Sequence, residues 1–320
     1  MENVTLLALA HSTAASLASL SEQTARYVEA GLQGAANTAK AYASDLRHYS
    51  HWCQANQVEP MPATVDILAG YVTYLADAGK KVATIQRHLS ALKKAHVLRG
   101  LECPTDNAQF KVLLDGISRV HGIRQKQAPA FTLNQLKRLV RELDVETVTG
   151  LRDRAILLLG FTGAFRRSEL SELNLENLRF TEDCLIVSLA RSKTNQLGQH
   201  EEKAIFYSPE AKVCPIRSLQ VWLRQLGRES GPIFVSLRKG ERLTLKRLSD
   251  KSINAVVQRY LGPSYSAHSL RASFVTVAKL AGADDSEVMN QTKHKTSAMI
   301  RRYTRLDDVR QHNAAQKLGL

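Results

Sequence analysis

The chain has 320 residues, enough for two domains that each bury a core, and 44% of them are hydrophobic, as in a globular protein. Its 44 Lys and Arg against 30 Asp and Glu leave a formal net charge of +14, which points to a polyanionic partner, nucleic acid before an acidic membrane. No apolar run reaches bilayer length, residues 1–10 carry Glu2 and lack a basic start, and Cys53, Cys103, Cys184 and Cys214 have neither zinc nor redox spacing; a membrane, secreted or disulfide-framework protein is thereby set aside, and a cytoplasmic protein with free, buried thiols is expected.

In chain order, an Ala-rich segment precedes Asn37, which can cap a helix running to about Gln54 with Tyr42, Leu46, Tyr49 and Cys53 on one stripe. Val65, Leu68, Val72 and Leu75 mark a second helix. Thr84 can cap a third, with Ile85, Leu89 and Leu92 on one face. A fourth spans about Asn107 to His121 with Phe110, Leu113, Leu114 and Ile117 apolar. Residues 1–121 therefore read as a small helical bundle. Residues 122–130, with Gly122, Ala128-Pro129 and two basic residues but no apolar period, read as a linker.

Residues 131–320 have a different texture. Thr132 caps one helix, and Leu151 to Phe161 gives another. Cys184–Leu189 and Ala204–Tyr207 are short β runs joined by a polar turn at 195–199, a hairpin signal. Helices resume at Ile216–Leu226, Ser249–Leu261, Ser269–Leu280, Asp285–Gln291 and Ser297–Tyr303. The fold class expected is mainly α with a small antiparallel β-sheet: an N-terminal helical bundle and a C-terminal mixed α/β domain.

Four clusters in this second half carry chemistry. They are Thr162-Gly-Ala-Phe-Arg166-Arg-Ser-Glu169-Leu, Arg191-Ser-Lys193-Thr on the hairpin, His268-Ser-Leu-Arg271, and Lys293-His294 followed nine residues later by Tyr303. The i, i+3 spacing puts His268 and Arg271 on one helix face. Singly, each has an ordinary structural reading: a solvated arginine pair, a hairpin-tip lysine, a cap histidine, a surface tyrosine. Together and in this order they resemble the tyrosine recombinase (phage integrase) family. The resemblance covers about residues 132–308, and more loosely the N-terminal helices, which are similar to the family's core-binding, SAM-like domain. The second half then corresponds to the catalytic domain of the DNA breaking-rejoining enzyme type.

The resemblance implies six catalytic positions: Arg166, Lys193, His268, Arg271, His294 and Tyr303, with Glu169 supporting the arginines. Their types suit phosphodiester chemistry, which is chiefly positioning and charge stabilisation. Arg166 and Arg271 offer charged planar forks to the phosphate oxygens, and His294 adds a donor. The Tyr303 phenol, with an ordinary pKa near ~10, needs a base, for which His268 is suited. Lys193 is the acid for the departing 5′ oxygen. The product implied is a 3′-phosphotyrosine, resealed without ATP, metal or other cofactor. Two positions depart from the family pattern: Thr292-Lys293 stands where Leu-Gly is common, and Ala272 where His is common.

The partner expected is double-stranded DNA with an inverted-repeat target site, and no membrane. Phosphate contacts are expected from Arg87, Lys93 and Lys94, with Lys80 and Lys81 before them, and from the basic stretch Arg238, Lys239, Arg242, Lys246 and Arg247 that Glu241 interrupts. By resemblance, residues 309–320 form a helix exchanged between protomers of a tetramer on two DNA sites. Two alternatives stay open: a catalytically silent DNA-binding protein of the same fold, and a type IB topoisomerase-like activity.

Overall fold

The computed structural model describes residues 36–122, 128–189, 201–294 and 296–301. The chain divides into two compact units, Met1–Lys126 and Gln127–Leu320, a division that falls within residues 122–130. No helix of the described residues is long and apolar enough to cross a membrane.

The first unit is helical. It holds α1 (Ala36–Ala55), α2 (Val65–Asp77), α3 (Val82–Leu98) and α4 (Ala108–His121). Its core is built from the predicted stripes: Leu46, Tyr49 and Cys53 from α1, Leu68, Val72 and Leu75 from α2, Ile85, Leu89 and Leu92 from α3, Phe110 and Ile117 from α4. Asn107 caps α4, its side chain accepting from the backbone N–H groups of Gln109 and Phe110. The expected Thr84 cap is corrected: α3 starts at Val82 after Lys81, whose side chain makes no capping bond, so Thr84 lies inside the first turn. The tertiary burial of Val82 in the core extends the helix past the local cap signal.

A buried polar chain crosses this core. Arg87 donates two 2.8 Å bonds to the Asp45 carboxylate, His88 lies 3.2 Å from the same group, and the Tyr71 hydroxyl joins His88 to His48 at 2.8 and 2.9 Å. Asp45 is buried, so this pairing is what permits a carboxylate there.

The second unit is built around α6 (Val148–Thr162), preceded by α5 (Leu133–Glu142) and followed by α7 (Arg167–Glu172). Residues Ala155 to Phe161 of α6 are all buried, so this stretch of the helix is apolar all round and serves as the core axis. Three strands follow, β1 (Leu178–Phe180), β2 (Cys184–Leu189) and β3 (Glu201–Phe206), antiparallel in the order β1-β2-β3. Next come α8 (Pro215–Leu226) and an antiparallel pair, β4 (Val235–Arg238) and β5 (Arg242–Arg247). The unit continues with α9 (Asp250–Leu261), α10 (Ala267–Leu280), α11 (Asp285–Thr292) and α12 (Ser297–Arg301).

The mainly helical fold with small antiparallel sheets is as expected, with differences in detail. The α7 helix, strand β1 and the β4–β5 ribbon are not among the elements expected from the sequence. The basic stretch 238–247 is that ribbon, and Glu241 within it serves the fold. Its carboxylate accepts from the N–H groups of Val148 and Thr149 at 3.0 and 3.1 Å, capping α6. Arg247 is committed as well, donating to the carbonyls of Ser171 and Leu173 and to the Asn174 side chain. Cys53, Cys184 and Cys214 are buried, whereas Cys103 is only half-buried, since it lies in the loop before α4.

Candidate active site

The site grows from the turn where α6 ends. Gly163 is required there by space, because a Cβ would lie 2.1 Å from the Phe165 ring that folds back over it. Ala164 takes a positive φ of 45° and is fully buried. The carbonyls of 163 and 164 therefore face the protein interior and need buried donors.

Arg166, the first predicted arginine, follows this turn as the cap residue of α7. Glu169, three residues on, accepts from the Arg166 backbone N–H at 3.0 Å and from its guanidinium Nη1. The arginine side chain keeps 18% of its surface exposed while that of Glu169 keeps 2%. Burial alone would raise the Glu169 carboxyl; the charges of Lys203 and Arg166 outweigh it and hold the group below its ordinary value.

His268 and Arg271 lie in the first turns of α10, which Ser266 opens with a capping box to Ser269. Arg271 is buried and reaches back to the turn, donating to the Ala164 carbonyl at 2.8 Å and to the Thr292 carbonyl at the end of α11. His268 keeps a solvent-facing side. The protein packed around it, then the charges of Arg271 and Arg166, lower its pKa.

His294 follows α11 and is nearly buried. Its Nδ1 lies 2.8 Å from the Thr292 hydroxyl, which itself donates to the Val288 carbonyl at 2.6 Å. The hydroxyl has one proton, so Nδ1 is the donor of that pair. Burial first, then Arg271, Arg166, His268 and Lys203, push His294 down to about 3. The departure at 292–293 is thereby explained in structural terms. Thr292 anchors the histidine, and Lys293 occupies the left-handed C-cap, at φ 54° and ψ 43°, which glycine adopts more easily. Gln291 locks α11 in place, its amide donating to the carbonyls of Thr162 and Ala204 at 2.9 Å each.

The structure thus brings Arg166, Glu169, His268, Arg271 and His294 together around residues 163–166. Lys193, Tyr303, the 195–199 turn and the 309–320 helix lie outside the described residues, as does the segment before α1. In the first unit, Lys80, Lys81 and Lys94 are exposed, Arg87 is paired with Asp45, and Lys93 is paired with Asp106 at 2.6 Å.

One site residue was missed. Lys203 of β3 is fully buried, and its ammonium donates to the Gly163 and Ala164 carbonyls at 2.8 and 3.3 Å, 3.5 Å from Glu169. Period-two alternation could have found it. Lys203 and Ile205 share the buried face of β3, but the expected strand starts at Ala204, one residue too late to include the lysine.

A mainly helical protein of large positive charge, with two arginines and two histidines gathered over a buried carboxylate, has the features of an enzyme for an anionic substrate such as a phosphodiester. The comparisons name the family. Residues 129–310 match the phage integrase family and residues 25–98 match its N-terminal SAM-like domain. The chain is 35% identical over 291 residues to an integrase/recombinase xerD homolog of Selenomonas ruminantium, covering 88% of this chain and 85% of that one. It is 24% identical over 281 residues to the recombinase cre of Escherichia phage P1, covering 79% of each. The fold matches that of XerH bound to palindromic difH substrate in a post-cleavage complex, with a TM-score of 0.64 at 18% identity, over 97% of this chain and 95% of the other. The Tn1549 transposon integrase in complex with transposon right end DNA gives 0.59 at 15% identity, over 99% and 100%. The chain belongs to the phage integrase family. It is a tyrosine recombinase, an enzyme of site-specific DNA recombination.

Proposed function

We propose that the chain cuts and rejoins DNA through a covalent bond to Tyr303. The phenolic oxygen attacks the scissile phosphorus, its proton passing to His268. The phosphorus–5′ oxygen bond breaks, and Lys193 supplies the proton that turns the leaving oxygen into a hydroxyl. Arg166, Arg271 and His294 hold the non-bridging oxygens, and Glu169 orients Arg166. The resulting 3′-phosphotyrosine retains an ester bond, so a second 5′ hydroxyl reseals it in the reverse sense without ATP, metal or other cofactor.

The observation that supports this most is the convergence of Arg166, His268, Arg271 and His294, from three separate segments, on one buried turn. Burial first, and then the charges of both arginines, lower the pKa of each histidine. A neutral His268 at pH 7 is the form that accepts a proton.

The partner proposed is duplex DNA in the cytoplasm, bearing an inverted repeat and held by a homotetramer, with residues 309–320 exchanged between protomers. The core-binding domain is residues 1–121 and the catalytic domain residues 131–320, joined by 122–130. Lys81, Arg87, Lys93 and Lys94 contribute backbone contacts.

The test is a suicide substrate carrying a nick beside the candidate site. Wild type is expected to accumulate a covalent protein–DNA adduct, and Tyr303→Phe to bind the same DNA without forming one. Cleavage by Tyr303→Phe would remove Tyr303 from the mechanism. Relaxation of arbitrary supercoiled plasmid by a monomer would replace recombination with a topoisomerase activity.

A further inference from the structure

The family's six positions leave Lys203 unassigned, yet it is, like Arg271, a fully buried cation of the site, with no exposed side-chain surface. Burying an ammonium is costly unless it is paired and hydrogen-bonded. Here the ammonium donates to the Gly163 carbonyl at 2.8 Å and to the Ala164 carbonyl at 3.3 Å. It stands 3.5 Å from Glu169 Oε2 and 4.5 Å from the centre of the Phe165 ring. Every one of these partners belongs to the segment that sets Arg166.

The connections run in two directions. Glu169 Oε2 is shared between Lys203 and the Arg166 backbone N–H, while Oε1 takes the Arg166 guanidinium. The Ala164 carbonyl is shared between Lys203 and Arg271 Nη1. One buried lysine thus touches an anchor of each phosphate-binding arginine. Its strand, β3, is also the return limb of the hairpin whose intervening residues include Lys193. Gln291 binds the next residue of the same strand, through the Ala204 carbonyl, which links β3 to the segment of His294.

We infer that Lys203 is a positioning residue of strand cleavage: through Glu169 and the 163–165 turn it fixes the guanidinium groups of Arg166 and Arg271 in their phosphate-binding posture and registers β3 against them. It does not touch the substrate. Burial lowers its pKa to about 7 against the pull of Glu169, with Arg271 and Arg166 adding to the drop, so its charge rests on keeping the Glu169 contact. A methionine at this position would fill the same space, remove the donor 2.8 Å from the Gly163 carbonyl, and leave Glu169 to Arg166 and the Ala164 carbonyl to Arg271.

The inference rests on the proposed phosphotyrosine chemistry, and the experiment separates the two. On the full-length protein, wild type and Tyr303→Phe are first compared on the suicide substrate; an adduct that persists in Tyr303→Phe sinks the chemistry and not only the role of Lys203. Lys203→Met and Lys203→Gln are then measured for thermal stability, DNA affinity and single-turnover cleavage. The expected result for the folded variants is DNA affinity close to wild type with cleavage slower by about 10²-fold, the scale of a roughly 1 Å misplacement of catalytic groups. Lys203→Gln, which keeps an amide donor for the turn, serves if Lys203→Met does not fold.

A second readout distinguishes positioning from loss of stability. A methylphosphonate at the scissile position removes the charge that the arginines neutralise, so the defect of Lys203→Met or Lys203→Gln should shrink on that substrate. Combining either change with Glu169→Gln should cost less than the product of the separate defects, because both act through one contact. Wild-type cleavage by a folded Lys203 variant, or an equal defect on charged and neutral phosphate, would overturn the assignment.

Discussion

The two histidines of the site do different work at the level of single atoms. His268 is lowered from its ordinary value and so is neutral at pH 7, as a base requires. His294 presents a harder condition. Its Nδ1–H is taken by Thr292, so in the neutral ring Nε2 has only a lone pair and cannot donate to a phosphate oxygen. Donation needs the imidazolium, which burial and the surrounding cations disfavour in the DNA-free protein. A bound phosphodiester acts in the opposite direction, since its negative charge favours the charged ring. On the proposed mechanism, single-turnover cleavage at saturating DNA should fall as pH rises through the pKa of the DNA-bound His294. His294→Gln, whose amide donates at every pH, should cleave with that basic limb removed. An unchanged limb in a pH–rate series would assign it to another group.

At the scale of elements, the short helices carry the site because their ends are fixed by side chains. The α11 helix begins with an Asp284–Glu287 capping box and ends at Lys293 in the left-handed region. A non-glycine residue there costs about 1 kcal/mol. The Lys293 side chain returns little, a 3.2 Å exposed bond to Asn290. Lys293→Gly should therefore raise stability by about 1 kcal/mol and the melting temperature of the unit by roughly 2–4 °C. A calorimetric scan showing a fall instead would mean that the lysine makes a stronger contact than the Asn290 bond. The same reasoning explains the tolerance of the site for Thr292, whose hydroxyl holds His294 where leucine could offer no hydrogen bond.

At the scale of the molecule, the positive charge is not evenly available to DNA. Lys94 is exposed on α3, whereas Arg87 on the same helix is half committed to Asp45 and Arg247 is occupied by carbonyls. The two α3 residues should separate in experiment. Lys94→Ala should weaken DNA binding and reduce the slope of log K against log salt by about 1, the signature of one lost phosphate contact. Arg87→Ala should chiefly destabilise the first unit, by leaving Asp45 buried with only His88 against it. Salt titrations of affinity beside melting curves read both effects; a full unit of slope lost in Arg87→Ala with stability intact would assign that arginine to DNA instead.

The helices, their core stripes and the order of the site motifs were legible in the sequence, because amphipathic spacing and short chemical motifs are local properties. Leu46, Tyr49 and Cys53 announce a buried face by their spacing alone, and His268 and Arg271 announce a shared face in the same way. Three things were decided only by tertiary contacts. The first turn of α3 is set by the burial of Val82 rather than by a cap at Thr84. Glu241 is an acidic break in a basic stretch until its carboxylate is seen closing the start of α6, 92 residues from Thr149 along the chain. Lys203 looks like a solvated hairpin lysine until folding encloses it between Glu169 and the turn carbonyls. The sequence by itself determined the family motifs and the groups offered for the proposed chemistry; the tertiary structure decided which buried partners hold those that it describes, since the cost of burying a charge is set by what surrounds it and not by its neighbours in the chain.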